Sequence, residues 1–129
     1  MIRIVTIIAI LTALPACAEY ERPSYNLVVK EDGLEIRDYA SAIVVETQVS
    51  ASRRDAAGEA FRSLFNYISG NNTSNLEIPM TAPVAQTPAG KGPDGVSGKW
   101  AIRFFLPSNY SVENIPQPLQ QGINIVTLE

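Results

Sequence analysis

Histidine is absent from all 129 residues. With it go the commonest general base, the commonest metal ligand and the usual proximal haem ligand. Beyond residue 18 there is no cysteine either. Nucleophilic catalysis of the serine–histidine and cysteine–histidine kinds is thereby excluded. So are disulfides and thiolate metal sites in that part of the chain. Carboxylates, lysines and tyrosines remain. Asp38-Tyr39 sets an acid beside a phenol, but strand neighbours point to opposite faces. The pair reads as a surface Asp38 and a core Tyr39. The other acids and bases form no constellation that a reaction would need, and no catalysis is expected.

Met80 is the only sulfur in residues 19–129 and stands in Leu76–Val84, LEIPMTAPV. Ile78, Met80, Ala82 and Val84 fall at alternate positions, the period of one strand face. Pro79 and Pro83 lack N–H groups and fix φ, which bars the segment from a central strand. The pattern predicts an apolar edge that enters a sheet irregularly, with Met80 as a flexible filler against Phe61 or Phe65.

These residues need elements to hold them. Asp32-Gly33 between Tyr25–Lys30 and Leu34–Tyr39 is a hairpin signal. Ala42–Val49 is rich in β-branched residues and predicts a third strand. Ser52 and Asp55 have capping-box spacing and open a helix over Arg53–Ser69. Ala57, Ala60, Phe61, Leu64, Phe65 and Ile68 recur at helical period and form its apolar face. Gly70 followed by two asparagines stops it. Gly58 inside the helix suggests close approach to a strand. Val84–Thr87 reads as extended and Pro88–Gly98 as a loop. Lys99–Leu106 is an aromatic strand, with Trp100, Ile102, Phe104 and Leu106 on one face and Ala101, Arg103 and Phe105 on the other. A helical turn over Ser111–Ile115 and a last strand over Ile123–Leu128 follow.

The start of the chain reads as an export signal. Ile4–Leu14 is apolar apart from Thr6 and Thr12 and is shorter than the roughly 20 residues of a membrane span. Pro15 ends the run, and Ala16-Cys17-Ala18 is a cleavage pattern. Residues 1–18 are expected to be removed. Leu14-Pro15-Ala16-Cys17 also resembles a lipobox, in which case the signal ends at residue 16 and Cys17 anchors the protein to a membrane. Residues 19–129 suffice for one domain. The net charge of −3 shows no basic stripe and argues against nucleic acid.

Four segments in order, LEIRDYASAIVVET, EAFRSLFNYISGNN, IPMTAPV and WAIRFFLPSNY, resemble the SOUL haem-binding protein family over roughly Leu34–Leu128. Tyr39, Phe61, Leu64, Tyr67, Ile68, Gly70, Met80, Thr81, Pro83, Val84 and Pro107 match its pattern. The resemblance implies an α+β fold, a twisted antiparallel sheet on one main helix that is half of a pseudo-duplicated barrel. It implies binding of haem or another tetrapyrrole in an apolar cleft beside the helix, without histidine. Phe61 and Phe65 would then stack on the porphyrin, Met80 would line the cleft, and Arg62 or Arg103 would pair a propionate. The usual second half is not in this sequence, so a C-terminally truncated domain is expected, with an open sheet edge prone to self-association. The competing expectation is an envelope interaction domain that takes a peptide or lipid. Location is expected to be the periplasm or an envelope membrane.

Overall fold

The computed structural model describes residues 19–92 and 98–129. The export and lipobox readings lie outside the described residues, as does the middle of the expected Pro88–Gly98 loop. Six strands and one helix are described: β1 (Tyr25–Glu31), β2 (Leu34–Tyr39), β3 (Ala42–Ser50), α1 (Arg53–Ile68), β4 (Val84–Lys91), β5 (Gly98–Phe105) and β6 (Ile123–Leu128). The fold is α+β. Strands β4-β5-β3-β6 form an antiparallel sheet in that order, open at both edges. Helix α1 covers one face.

The helix starts where its cap dictates. The Ser52 hydroxyl accepts from the Asp55 N–H at 3.2 Å and donates to the Asp55 carboxylate at 2.7 Å. At the other end Ser69, expected inside the helix, is its cap, its N–H bonded to the Phe65 carbonyl at 2.9 Å. The stop itself is held by Asn72, whose side chain is buried. Its Nδ2 donates to the Tyr67 and Leu76 carbonyls at 3.0 and 2.7 Å. Its Oδ1 accepts from the Ser74 and Leu76 N–H groups. All four of its hydrogen-bonding positions are used.

The core lies between α1 and the sheet. Ala56, Ala60, Leu64, Tyr67 and Ile68 meet Val45, Ile102, Phe104 and Ile123, with Ile78 and Ile115 closing the ends. This stripe is rotated from the expected one. Ala57 is only half buried, Phe61 and Phe65 are exposed, and Ala56 and Tyr67 are buried instead. The small Ala56 and Ala60 bring the helix close to the sheet, which places the two phenylalanines at the flank. Gly58 does not pack against a strand: a Cβ there would meet nothing within 4 Å, and nothing in the structure explains the glycine.

Two more expectations need correction. Pro88–Lys91 continues β4 rather than opening a loop, because Pro88 sits on an edge strand beside a register shift, where a missing N–H is tolerated. Tyr39 is exposed, not core. Strands β1 and β2 form their own two-stranded sheet, turning at Asp32 and Gly33, both at positive φ. That hairpin forms a sheet apart from the main one, and Tyr39 packs there on Tyr25, with ring centroids 5.4 Å apart.

Candidate functional site

Because the sheet covers only one stripe of α1, the next stripe is left open. Phe61 and Phe65 are 42% and 47% exposed, far more than large aromatics on a helix that faces a core. Their rings stack with centroids 5.9 Å apart and planes 11° from parallel. Phe61 also meets Phe104 edge-on at 5.2 Å, which ties the pair to the core. The irregular segment before β4 forms the opposing wall. There Met80 is half buried and packs against the core, while Val84 is exposed. Thr81 between them is buried, its hydroxyl donating to the Phe105 carbonyl at 2.6 Å. Pro79 and Pro83 keep Met80 out of the sheet, and Val84 opens β4 at its edge, paired with Phe104 of β5. The result is a cleft of about 330 Å³ lined by Tyr20, Phe61, Phe65, Met80, Thr81, Ala82 and Val84.

Tyr20 belongs to the lead-in before β1, and the next residue holds that lead-in to the body. The Glu21 carbonyl accepts from the Ala82 N–H at 2.9 Å. Its carboxylate accepts from the Ser108 N–H at 2.8 Å. The Ser108 hydroxyl, and after it the Ser108 N–H, hold the Glu21 carboxyl below the usual carboxylate range. Beyond this clip lies a larger hollow of about 520 Å³, whose wall includes Arg22, Ser41, Phe105, Tyr110 and Glu113. Its wall mixes charges, hydroxyls and apolar groups and has no stacked aromatic pair. Flat apolar chemistry belongs to the smaller cleft.

The five residues singled out in the sequence separate. Phe61, Phe65 and Met80 come together in the cleft. Arg62 is exposed on α1, next to Phe61. Arg103 is on the other side of the sheet. It alternates with Ile102 and Phe104, which face the helix. Its Nε donates to Glu46 at 2.6 Å and its Nη1 to Thr87 at 3.1 Å. That guanidinium neutralises a buried carboxylate and is held away from the cleft. Tyr20 was not singled out, since only the long-range pairing of Glu21 with Thr81 brings it there, and no local pattern reports that. Asn72 was read only as part of a helix stop.

Tyr67 is fully buried and donates to the Pro116 carbonyl at 2.7 Å. Burial, and secondarily the Tyr110 phenol, push its pKa up to about 12. It faces the core and takes no part in the cleft. Among the described residues, no three histidine, cysteine, aspartate or glutamate side chains cluster as a metal site. No helix there is long and apolar enough to cross a membrane.

One helix on an open antiparallel sheet, with a stacked aromatic pair left uncovered at its flank, makes this a small α+β domain. The family model described as SOUL heme-binding protein matches residues 20–129, and the chain belongs to that family. The chain is also 36% identical over 93 residues to Heme-binding protein 2 of Homo sapiens, an alignment that covers 70% of this chain and 44% of that protein. The chain thus spans about half the length of that relative.

Phe61 and Phe65 would offer a tetrapyrrole ring a flat wall, and Met80 and Tyr20 would each bring a heteroatom to it. Arg62 is outside the cleft lining.

Proposed function

We propose that the protein binds haem or a related tetrapyrrole against Phe61, Phe65 and Met80, without histidine ligation and without catalysing a reaction on it. Family membership supports haem binding in general. The observation that carries the finer reading is the exposed Phe61–Phe65 stack opposite Met80. Leaving two half-exposed aromatic rings open to water forgoes roughly half of the 1.5–3 kcal/mol that full burial of each would give, which a flat ligand restores. Adding haemin to the purified protein should give a shifted Soret band, weakened by Phe61→Ala and Phe65→Ala. A peptide or lipid ligand would instead leave the haemin spectrum as it is in buffer.

The export signal in residues 1–18 supports a location in the periplasm or, through a lipidated Cys17, at an envelope membrane. Protein beginning at Glu19 or at a modified Cys17, found by intact mass, is the expected product. Recovery of Met1 on cytoplasmic protein contradicts both. The single domain is then residues 19–129.

The sheet edges support self-association of the chain. Edge strand β4 carries Pro88 and a register shift, devices that block pairing. Edge strand β6, INIVTL, has no proline and no charge. The hairpin adds exposed Leu27, Val28, Leu34 and Ile36. Light scattering should find a dimer or larger species, and Thr127→Lys, at an exposed edge position, should shift it toward monomer.

A further inference from the structure

We infer that the Tyr20 phenol is the oxygen ligand that this chain offers to ferric haem iron in the Phe61–Phe65–Met80 cleft. The inference rests on the tetrapyrrole reading and names a residue toward that ligand.

Elimination among the donor groups leads to it. The sequence has no histidine, and its one cysteine is Cys17. Three cleft-lining side chains carry a heteroatom: Tyr20, Met80 and Thr81. Thr81 is buried and its hydroxyl is committed to the Phe105 carbonyl at 2.6 Å. Met80 is a soft thioether, suited to iron chiefly alongside a second, stronger ligand. Tyr20 carries a hard oxygen, the donor type that ferric iron accepts from tyrosine in haem proteins. The chain has five tyrosines, and the other four are placed elsewhere. Tyr67 is buried on the Pro116 carbonyl, Tyr110 lines the larger hollow, and Tyr25 and Tyr39 pack on each other in the hairpin.

Tyr20 is also held in place. Glu21 is fixed at two points, by its carbonyl on Ala82 and by its carboxylate on Ser108. The residue before it is therefore kept at the cleft mouth, 56% exposed and free to meet a ring that lies on the phenylalanines. Ligation breaks the phenol O–H bond, sends the proton to water and forms an oxygen–iron bond. The iron stays ferric, so no oxidant or reductant enters.

The test is resonance Raman and visible absorption of the protein with haemin, for the wild type, Tyr20→Phe, Tyr20→His and Met80→Ala. The wild type should show the phenolate-to-iron charge-transfer band and the iron–phenolate stretch. Met80→Ala should keep both. Tyr20→Phe should lose both yet still shift the Soret band through the phenylalanines. Tyr20→His should replace them with a histidine-ligated spectrum, which shows that position 20 reaches the iron. A phenolate signature that survives Tyr20→Phe, or a wild-type complex without one, overturns the assignment while leaving the tetrapyrrole reading in place. No Soret shift in the wild type overturns both.

Discussion

Phe61 and Phe65 stack one helical turn apart, 5.9 Å between centroids, and Phe61 also makes an aromatic edge contact with the core at Phe104. Phe65 contributes mainly to the cleft. Phe65→Ala should cost about 1 kcal/mol of stability, against about 3–5 kcal/mol for a buried phenylalanine. The same change should weaken haem binding about tenfold, one stacked ring's worth of contact. Chemical denaturation and a haemin titration on one preparation check both. A large loss of stability with unchanged binding would place Phe65 in the core.

Arg103 and Glu46 form an ion pair across β5 and β3, on the face away from α1. Arg103→Met leaves the buried Glu46 carboxylate without its charged partner and should destabilise the fold by about 1.5–3 kcal/mol. Haem affinity, measured below the melting range, should not change. An affinity loss greater than that of Phe65→Ala would mean that Arg103 contacts the ligand.

Gly58 sits in the middle of α1 with open space where a Cβ would go. Gly58→Ala should raise stability by about 0.5–1 kcal/mol. A lower melting temperature would show that the site is crowded by something the fold does not display.

Strands and the helix were readable because each has a local cause: a period of two, a period of 3.6, a cap at Ser52, a turn at Asp32-Gly33. The face of β5 that carries Trp100, Ile102 and Phe104 followed, while the α+β class came from the family resemblance. The helix face was readable only to within one residue stripe. Ala56 and Ala57, or Leu64 and Phe65, are equally apolar by type, and which of them is buried depends on how closely α1 meets the sheet. That same ambiguity hid the meaning of Phe61 and Phe65. They were read as core first, and their exposure is what marks the cleft. Tyr39 was misread because alternation reports a strand but not whether the strand joins the main sheet. Tyr20 came to the cleft through Glu21 and Thr81, sixty residues apart in sequence, a distance over which no sequence periodicity acts. Arg103 was placed on the correct strand face, and its partner Glu46 decided its role.

The pKa of Tyr67 is raised from 10.0 to about 12, which makes alkaline stability a test of its burial. The unfolded chain loses that phenolic proton near 10 and the folded chain near 12. The contribution is full below pH 10 and is lost as pH rises from about 10 to about 12. Tyr67→Phe should remove that part of the pH dependence. It should also cost about 1–3 kcal/mol at neutral pH, because the Pro116 carbonyl loses its donor. A wild-type stability that stays flat between pH 9 and about 12 would mean that Tyr67 is open to solvent.

The central claim is that the uncovered flank of α1 is the tetrapyrrole site, and it is tested most directly by a haemin titration of the wild type beside Phe61→Ala/Phe65→Ala, followed at the Soret band. The wild type should bind with a defined stoichiometry and a shifted band, and the double variant, still folded by circular dichroism, should bind far more weakly. Equal binding by the two folded proteins would contradict the account.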